Sequence, residues 1–242
     1  MASGRSAEIL SGVSASARDG DDLPQRLVTA CAGALPVSGV GIVLMTDDGP
    51  AGAVAVTDPA AAKLEDLQFT LGEGPCVDAS RTGRPVLQPD LVVTGPARWP
   101  GFAAGALDAG VRAVFAFPLR VGGIRLGVLD LYRDRAGALS DEELAEALSF
   151  ADAATTVLLH LQSLDPDAGG PLGFLPVVED RAEVHQATGM VSVQTGVPLG
   201  QALALLQARA FAAGVPIGAL AADVLAGAVR FSNDDLGGIH GY

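Results

Sequence analysis

Apolar residues recur at helical spacing in three consecutive stretches near the C-terminus. The first covers residues 179–196, the second covers Leu199–Ala213, and the third follows Pro216. A glycine ends each of the first two stretches, and a proline precedes each of the last two, as is common at helix ends and helix starts. Because a short amphipathic helix cannot bury its apolar stripe alone, these stretches predict a three-helix bundle.

The first of these helices also carries a polar stripe. Arg181, His185, Thr188 and Ser192 recur at i, i+4, i+7 and i+11, so one face can pack while this face meets a partner. A solvated face is the alternative, with Arg181 paired to a neighbouring acid. Gly189 lies within the same helix, where glycine costs about 1 kcal/mol relative to alanine, so we expect a packing or contact reason for it.

The longer preceding part mixes strand-like and helix-like patterns. Strands are predicted at 37–45, 51–57, 86–88, 111–119 and 124–132, and helices at 23–35, 58–67, 99–110 and 140–164. This order predicts an α+β domain over residues 20–164, with a mostly antiparallel sheet flanked by helices. Residues 1–19 are predicted to be a flexible tail, 165–174 a linker and 232–242 a C-terminal tail.

The helix predicted at 140–164 has a possible pairing seam. Leu144, Leu148, Ala151, Thr155 and Leu158 alternate by fours and threes, a spacing that suits a helix–helix pair. We therefore expect a homodimer through residues 140–164.

Four segments of residues 20–164 resemble the GAF domain family. They are LGEGPCVDA at 71–79, RWPGF at 98–102, VFAFPLR at 114–120 and RLGVLDLYR at 125–133. The resemblance implies a sensory domain that binds an unidentified small molecule between sheet and loops, with Cys76, Trp99 and Phe117 as candidate ligand contacts. From the residues alone, Cys76 is favoured as a small buried residue over a redox sensor, and Trp99 as a core residue over a stacking platform.

The C-terminal bundle resembles the ANTAR domain over residues 175–231. The matching residues are Arg181, the segment QATGM at 186–190, Ala202, Leu206 and Ala210. ANTAR domains are three-helix modules that bind stem–loop RNA in transcription antitermination. The resemblance implies RNA contacts at Arg181, His185, Thr188, Gly189, Arg209 and Arg230. At Thr188 and Gln207 the chain lacks the Lys and Arg that many ANTAR sequences carry.

Net charge supports a competing hypothesis. The chain carries a formal charge of −13, and residues 165–242 contain three arginines against eight acidic residues. Since nucleic-acid binders usually present cations to phosphate, the bundle could instead bind protein, as part of a sensory or scaffolding protein. The absence of a basic recognition helix argues against a helix-turn-helix that reads DNA.

The sequence carries no motif that predicts catalysis. Hydrolase, phosphate-loop and zinc-protease motifs are absent, and the three histidines are scattered. Cys31 and Cys76 lack the spacing of a metal site, and a reductase would need several cysteines in one pocket. We therefore predict no enzyme, cofactor or metal. The sequence also has no 18-residue apolar run, which predicts a cytoplasmic protein without a membrane segment.

Overall fold

A computed structural model describes residues 2–15, 23–46, 49–164 and 182–232. The strands are β1 (Gly39–Thr46), β2 (Gly49–Val56), β3 (Val86–Gln88), β4 (Ala113–Val121) and β5 (Ile124–Arg133). The helices are α1 (Ala2–Ala15), α2 (Leu23–Ala34), α3 (Pro59–Leu71), α4 (Pro75–Thr82), α5 (Leu91–Arg98), α6 (Pro100–Asp108), α7 (Asp141–Leu164), α8 (Ala182–Thr195), α9 (Leu199–Ala213) and α10 (Ile217–Leu225).

The five strands form one antiparallel sheet in the order β2-β1-β5-β4-β3. Strand side chains alternate between its two faces. In β4, Phe115 and Phe117 belong to one core layer, while Val114 and Ala116 belong to the other. The predicted α+β class and mostly antiparallel sheet are therefore confirmed.

Helices cover both faces of this sheet. On the first, here called the α7 face, α2 and α7 contribute Leu27, Cys31, Phe150 and Val157 to the buried layer. On the second, the α3 face, helices α3, α4 and α6 contribute Leu64, Cys76 and Phe102. Because both faces are buried, the central strands β1, β5 and β4 read as almost continuous apolar runs.

Helix α7 begins with the predicted capping box. The backbone N–H of Ser140 donates to Glu143 Oε2 at 2.8 Å, and the N–H of Glu143 donates to Ser140 Oγ at 3.2 Å.

The segment Asp141–Ser163 of α7 is long and apolar enough to span a membrane by composition, but 44% of its most apolar 18-residue window is buried within the protein. Among the described residues, α8 and α9 pass the same test only together, across a bend of 105°. Helix α7 therefore packs in part on the sheet of its own chain.

Most of the predicted pairing seam on α7 is used inside the chain. Ala151 and Leu158 are buried in the α7-face core, and Leu144 packs against it. Leu148 and Leu159 remain 40% and 41% exposed. The sheet and α1 both pack on α7 within the chain, and Leu148 is the seam leucine that remains exposed.

Two helices lie where the sequence pattern predicts none. Residues 2–15, within the predicted flexible tail, form α1, which packs on α7 and buries Ile9 and Val13. Asp90 caps the N-terminus of helix α5, and its Oδ1 accepts from the N–H groups of Val92 and Val93. Its valines are exposed and it contains Pro96, so it lacks the apolar stripe by which a helix is recognised.

The last three helices form the predicted bundle around a shared core. Val184 and Val191 of α8, Leu206 of α9 and Leu220 of α10 are all buried there. Phe69, from the end of α3, belongs to the same cluster and is 1% exposed. The bundle core therefore includes a side chain from the sheet-containing part.

We predict that Gly127→Ala lowers the free energy of unfolding by at least about 2 kcal/mol. Gly127 lies in the central strand β5, and a Cβ there would overlap the carbonyl oxygen of Val43 on β1. Urea unfolding would measure the loss. Gly123→Ala, in the turn of the same hairpin and with nothing within 4 Å of its Cβ position, is the control and should change stability by less than about 0.5 kcal/mol. Equal effects at both positions would contradict the packing argument.

Candidate functional site

A group of buried polar side chains lies between helix α3 and the sheet. Glu65 and Gln68 are one helical turn apart on α3, so both face the sheet. Asp130 and Tyr132 are two residues apart on β5, so both reach the α3 face. All four are at most 3% exposed. With Cys76 of α4, these residues are called the polar cluster below.

Hydrogen bonds through Gln68 hold the polar cluster together. Its Nε2 lies 3.2 Å from Glu65 Oε2, 3.3 Å from Asp130 Oδ2 and 3.2 Å from the Tyr132 hydroxyl. The Tyr132 hydroxyl donates to Glu65 Oε1 at 2.9 Å. On β1, Gly41 provides the space, because a Cβ there would overlap the Glu65 carboxyl group.

Burial dominates the electrostatics of the two carboxyl groups. Burial raises the pKa of Glu65 well above its usual value, and the neighbouring Asp130 raises it further. Burial likewise raises the pKa of Asp130, against the opposing effect of the neighbouring Gln68, Cys76 and Glu65 side chains. Two acids this close in an apolar layer cannot both ionise without a compensating positive charge.

Cys76 reaches the polar cluster through the loop that precedes α4. The left-handed Gly72 (φ 63°) ends α3, and Pro75 begins α4. Glu73 fixes this loop by accepting from the N–H groups of Gly101 and Phe102 at 2.7 and 2.9 Å. The backbone N–H of Cys76 then donates to Gln68 Oε1 at 2.8 Å.

The thiol of Cys76 is not an activated nucleophile in this setting. It is fully buried with its Sγ 3.9 Å from Met45 Sδ, and burial, then Asp130 and Glu65, raises its pKa. Reactive cysteines need a lowered pKa and access. Cys31 lies in the core of the α7 face, so the two cysteines do not share a pocket.

The other two candidate ligand contacts do not join the polar cluster. Trp99 is 2% exposed in the α3-face core, and its Nε1 donates to Asp78 Oδ2 at 3.2 Å. Trp99 therefore ties the start of α6 to α4. Phe117 lies in the core of the α7 face, on the opposite side of the sheet from Cys76. Strand alternation causes this, because Ala116 takes the α3-face position.

Sequence reasoning missed Glu65, Gln68, Asp130 and Tyr132. A usable signal was present at Asp130, which is an acid in the middle of an apolar strand with a leucine on either side. A charged residue in a strand buried on both faces must be compensated, and that marks a site. Glu65 and Gln68 gave a weaker signal, because polar residues at that spacing usually mark the solvent face of a helix.

The candidate RNA contacts of α8 have different environments. His185 is exposed, and Gly189 is half-buried with open space at its Cβ position. Thr188 is 6% exposed and its hydroxyl donates to the carbonyl of Val184 at 2.7 Å, so its assignment to an exposed polar stripe is wrong. Arg181 lies outside the described residues.

The structure brings Arg209 and Arg230 together at one end of the bundle. Arg209 Nη1 donates to the backbone carbonyl of Arg230 at 3.1 Å, and its guanidinium lies 4.9 Å from the centre of the Phe231 ring. Phe231 is buried and its N–H donates to Gln194 Oε1 at 2.9 Å. The packing of the chain after α10 therefore positions this arginine pair.

Helix α3 connects the polar cluster to the bundle. Gln68 faces the cluster, whereas the next residue, Phe69, is buried in the bundle core. Gln207 of α9 donates from Nε2 to the carbonyl of Phe69 at 2.6 Å, which satisfies a carbonyl in the last turn of α3. Beside this contact, a cleft of about 410 Å³ between α9 and the loops after α3 and α5 is lined by Leu71 and Phe211.

We predict that Gln68→Ala lowers the free energy of unfolding by about 2–4 kcal/mol. The change leaves three buried oxygens and the Cys76 N–H without their shared partner. Urea unfolding followed by circular dichroism would measure it. Gln201→Ala, at an exposed position of α9, is the control and should be nearly neutral. A loss below about 1 kcal/mol for Gln68→Ala would contradict a central bonding position for this residue.

Comparison with known proteins identifies the sheet-containing part. The chain resembles the GAF domain of a phosphoenolpyruvate-protein phosphotransferase from Acinetobacter (14% identity, 69% of this chain and 98% of that one, TM-score 0.51) and that from Coxiella burnetii (16%, 67% and 98%, 0.50). It also resembles a domain of a putative two-component sensor histidine kinase protein from Sinorhizobium meliloti 1021 (18%, 62% and 98%, 0.50). No curated protein sequence matches significantly. The family model of the GAF domain matches residues 17–159, and the chain therefore belongs to the GAF domain family, whose members are signal-sensing domains.

Proposed function

We propose that the chain is a signal-responsive RNA-binding regulator that acts in transcription antitermination. In this proposal the GAF domain receives the signal, and the ANTAR-like bundle of α8, α9 and α10 binds stem–loop RNA. The protein works in the cytoplasm and has no catalytic activity of its own.

The position of α3 is the observation that carries this proposal. Gln68 bonds within the polar cluster of the GAF domain, and Phe69 is buried in the core of the bundle. A rotation or shift of α3 caused by a change at the cluster therefore moves a side chain around which the bundle is packed. Packed interfaces change between discrete arrangements, so such a shift can alter the surface that the bundle presents.

Exposed residues of the bundle supply the RNA surface in this proposal. The Arg209 guanidinium lies against the backbone of Arg230, and these two arginines can hold phosphate or stack on unpaired bases. His185 and the open surface at Gly189 add contacts from α8. Such a local cationic site can bind RNA even in an acidic chain. Dissolved salt screens the repulsion between RNA and distant acidic residues more than it screens direct contacts between arginine and phosphate.

A homodimer would supply one bundle for each loop of a tandem stem–loop RNA. Leu148 and Leu159 are eleven residues apart on α7, which places them on one side of the helix, and both are exposed. We assign the dimer contact to Leu148 of the predicted seam together with Leu159, which lies outside that seam. Light scattering of the full chain would test it, and a monomeric mass at assay concentration would reject it.

Exposed apolar side chains favour a second function, which is protein binding by the bundle. Val193, Leu199 and Phe211 are 85%, 52% and 65% exposed. With the acidic charge of residues 165–242, they suit a protein partner better than a polyanion. RNA binding should weaken steeply as salt rises, whereas an apolar protein interface should not.

We predict that Gln68→Ala speeds amide hydrogen exchange in α9 and that Gln207→Ala weakens this effect. The first change disturbs the cluster end of α3, and the second removes the bond that ties α9 to the carbonyl of Phe69. Exchange would be followed by mass spectrometry on the full chain.

Val28→Ala, in the core of the α7 face, controls for general loss of stability. It should speed exchange in the sheet with a much smaller effect in α9 than Gln68→Ala. If both variants speed α9 exchange equally, then α3 does not carry a specific signal.

We predict that Arg209→Ala/Arg230→Ala weakens binding to a tandem stem–loop RNA by about tenfold at about 50 mM salt. Each lost phosphate contact should also reduce the slope of log K against log salt by about 0.7–0.9. Fluorescence anisotropy over a range of salt concentrations would measure both.

Two matched variants sharpen this RNA-binding test. Arg84→Ala removes an exposed arginine from the GAF domain and should leave the affinity unchanged. Arg209→Lys/Arg230→Lys keeps the charge and should retain most of the salt slope. Failure of the unaltered chain to bind at this salt concentration, in a dimeric sample, would reject RNA binding and favour the protein-binding function.

A further inference from the structure

Three metal-ligand side chains meet inside the polar cluster. Glu65, Cys76 and Asp130 each offer one ligand atom, and these atoms all lie within 4.8 Å of one another. They come from α3, α4 and β5, which are separated in sequence, so no spacing motif reveals them. All three residues are buried.

Among the residues that the structure describes, no positive charge balances the acids of the polar cluster. The groups that shift the pKa values of Glu65 and Asp130 are each other, Gln68, Tyr132 and Cys76, with no arginine or lysine among them. Gln68 donates to Oδ2 of Asp130, but Oδ1 is buried without a hydrogen-bond partner in the described part of the chain. Since an unpaired buried carboxylate oxygen is costly, this atom is a candidate metal ligand.

We propose that Glu65, Cys76 and Asp130 bind a divalent transition-metal ion of the Zn²⁺ type. One thiolate with two carboxylates is a donor set for a borderline ion and not for Mg²⁺ or Ca²⁺, which prefer oxygen ligands alone. With metal–donor distances of about 2.0–2.3 Å, tetrahedral ligands lie about 3.3–3.8 Å apart. Ligand atoms up to 4.8 Å apart therefore need to approach one another by at most about 1.0–1.5 Å.

Neighbouring groups already orient these three ligands. Gln68 lies within hydrogen-bonding distance of both carboxyl groups and accepts from the N–H of Cys76. Tyr132 donates to Glu65 Oε1. Such bonds to ligating side chains fix their positions and raise metal affinity. Binding also releases protons, because Cys76 and the carboxyl groups must be deprotonated.

This metal site does not depend on RNA binding by the bundle. It concerns GAF residues alone, and its occupancy can be measured without any RNA. Because the site is fully buried, we expect the ion to enter as the chain folds. The bound ion would link α3, α4 and β5 and would therefore stabilise the folded state.

The test is refolding of the full chain, under reducing conditions, with one equivalent of Zn²⁺ or Co²⁺. We expect one ion per chain after dialysis, a raised Tm, and a thiolate-to-Co²⁺ charge-transfer band. Cys76→Ser should abolish the charge-transfer band. Cys31→Ser, which removes the buried thiol on the opposite face of the sheet, should leave both the band and the stoichiometry unchanged.

Asp130→Asn serves as a second variant in case Cys76→Ser does not fold. It retains the shape of the side chain, and we expect it to lower Zn²⁺ affinity at least tenfold. Less than about 0.2 equivalents of retained ion in the refolded, unaltered chain would overturn the proposal, as would a charge-transfer band that persists in Cys76→Ser or is lost in Cys31→Ser.

Discussion

Burial of two carboxyl groups and a thiol between α3 and the sheet is the constraint on which the GAF domain depends. An apolar layer tolerates such groups when every donor and acceptor is matched. Gln68 meets most of this demand, since its amide contacts both acids and the Cys76 backbone. The demand also explains Gly41, whose missing side chain gives Glu65 its space. The positions of α3, α4 and β5 relative to one another therefore follow from a polar network as much as from apolar packing.

The same helix places the C-terminal bundle. Helix α3 buries Gln68 against the sheet and Phe69 in the bundle, so one helical turn belongs to two cores. Gln207 adds a directional contact between α9 and α3, because its side-chain amide donates a hydrogen bond to the carbonyl of Phe69. A sequence comparison that treats Gln207 as a lost RNA-contacting arginine overlooks this contact. The residue satisfies the end of a neighbouring helix.

Much of the fold follows from the sequence because its signals are local. Apolar runs with turn residues gave the five strands, and the Ser140–Glu143 capping box gave the start of α7. The polar cluster was not predicted, because its members approach only after the sheet and helices assemble. The burial of Thr188 and the face taken by Phe117 were not predicted for another reason. Residue type alone does not show that the hydroxyl of a buried threonine donates to a backbone carbonyl of its own helix, as in Thr188. It also does not show toward which face of the sheet a phenylalanine such as Phe117 points.

Phe69 also bears on how such a chain can evolve. The bundle core is completed by a side chain from the preceding domain, so the two parts are not freely interchangeable units. Recombination that joined this bundle to a different sensor domain would leave a cavity at the position of Phe69. The loss of folding stability would be comparable to that of deleting a large core side chain. We therefore expect related chains to inherit the two parts together. Residues that contact each other between the two parts should change in pairs.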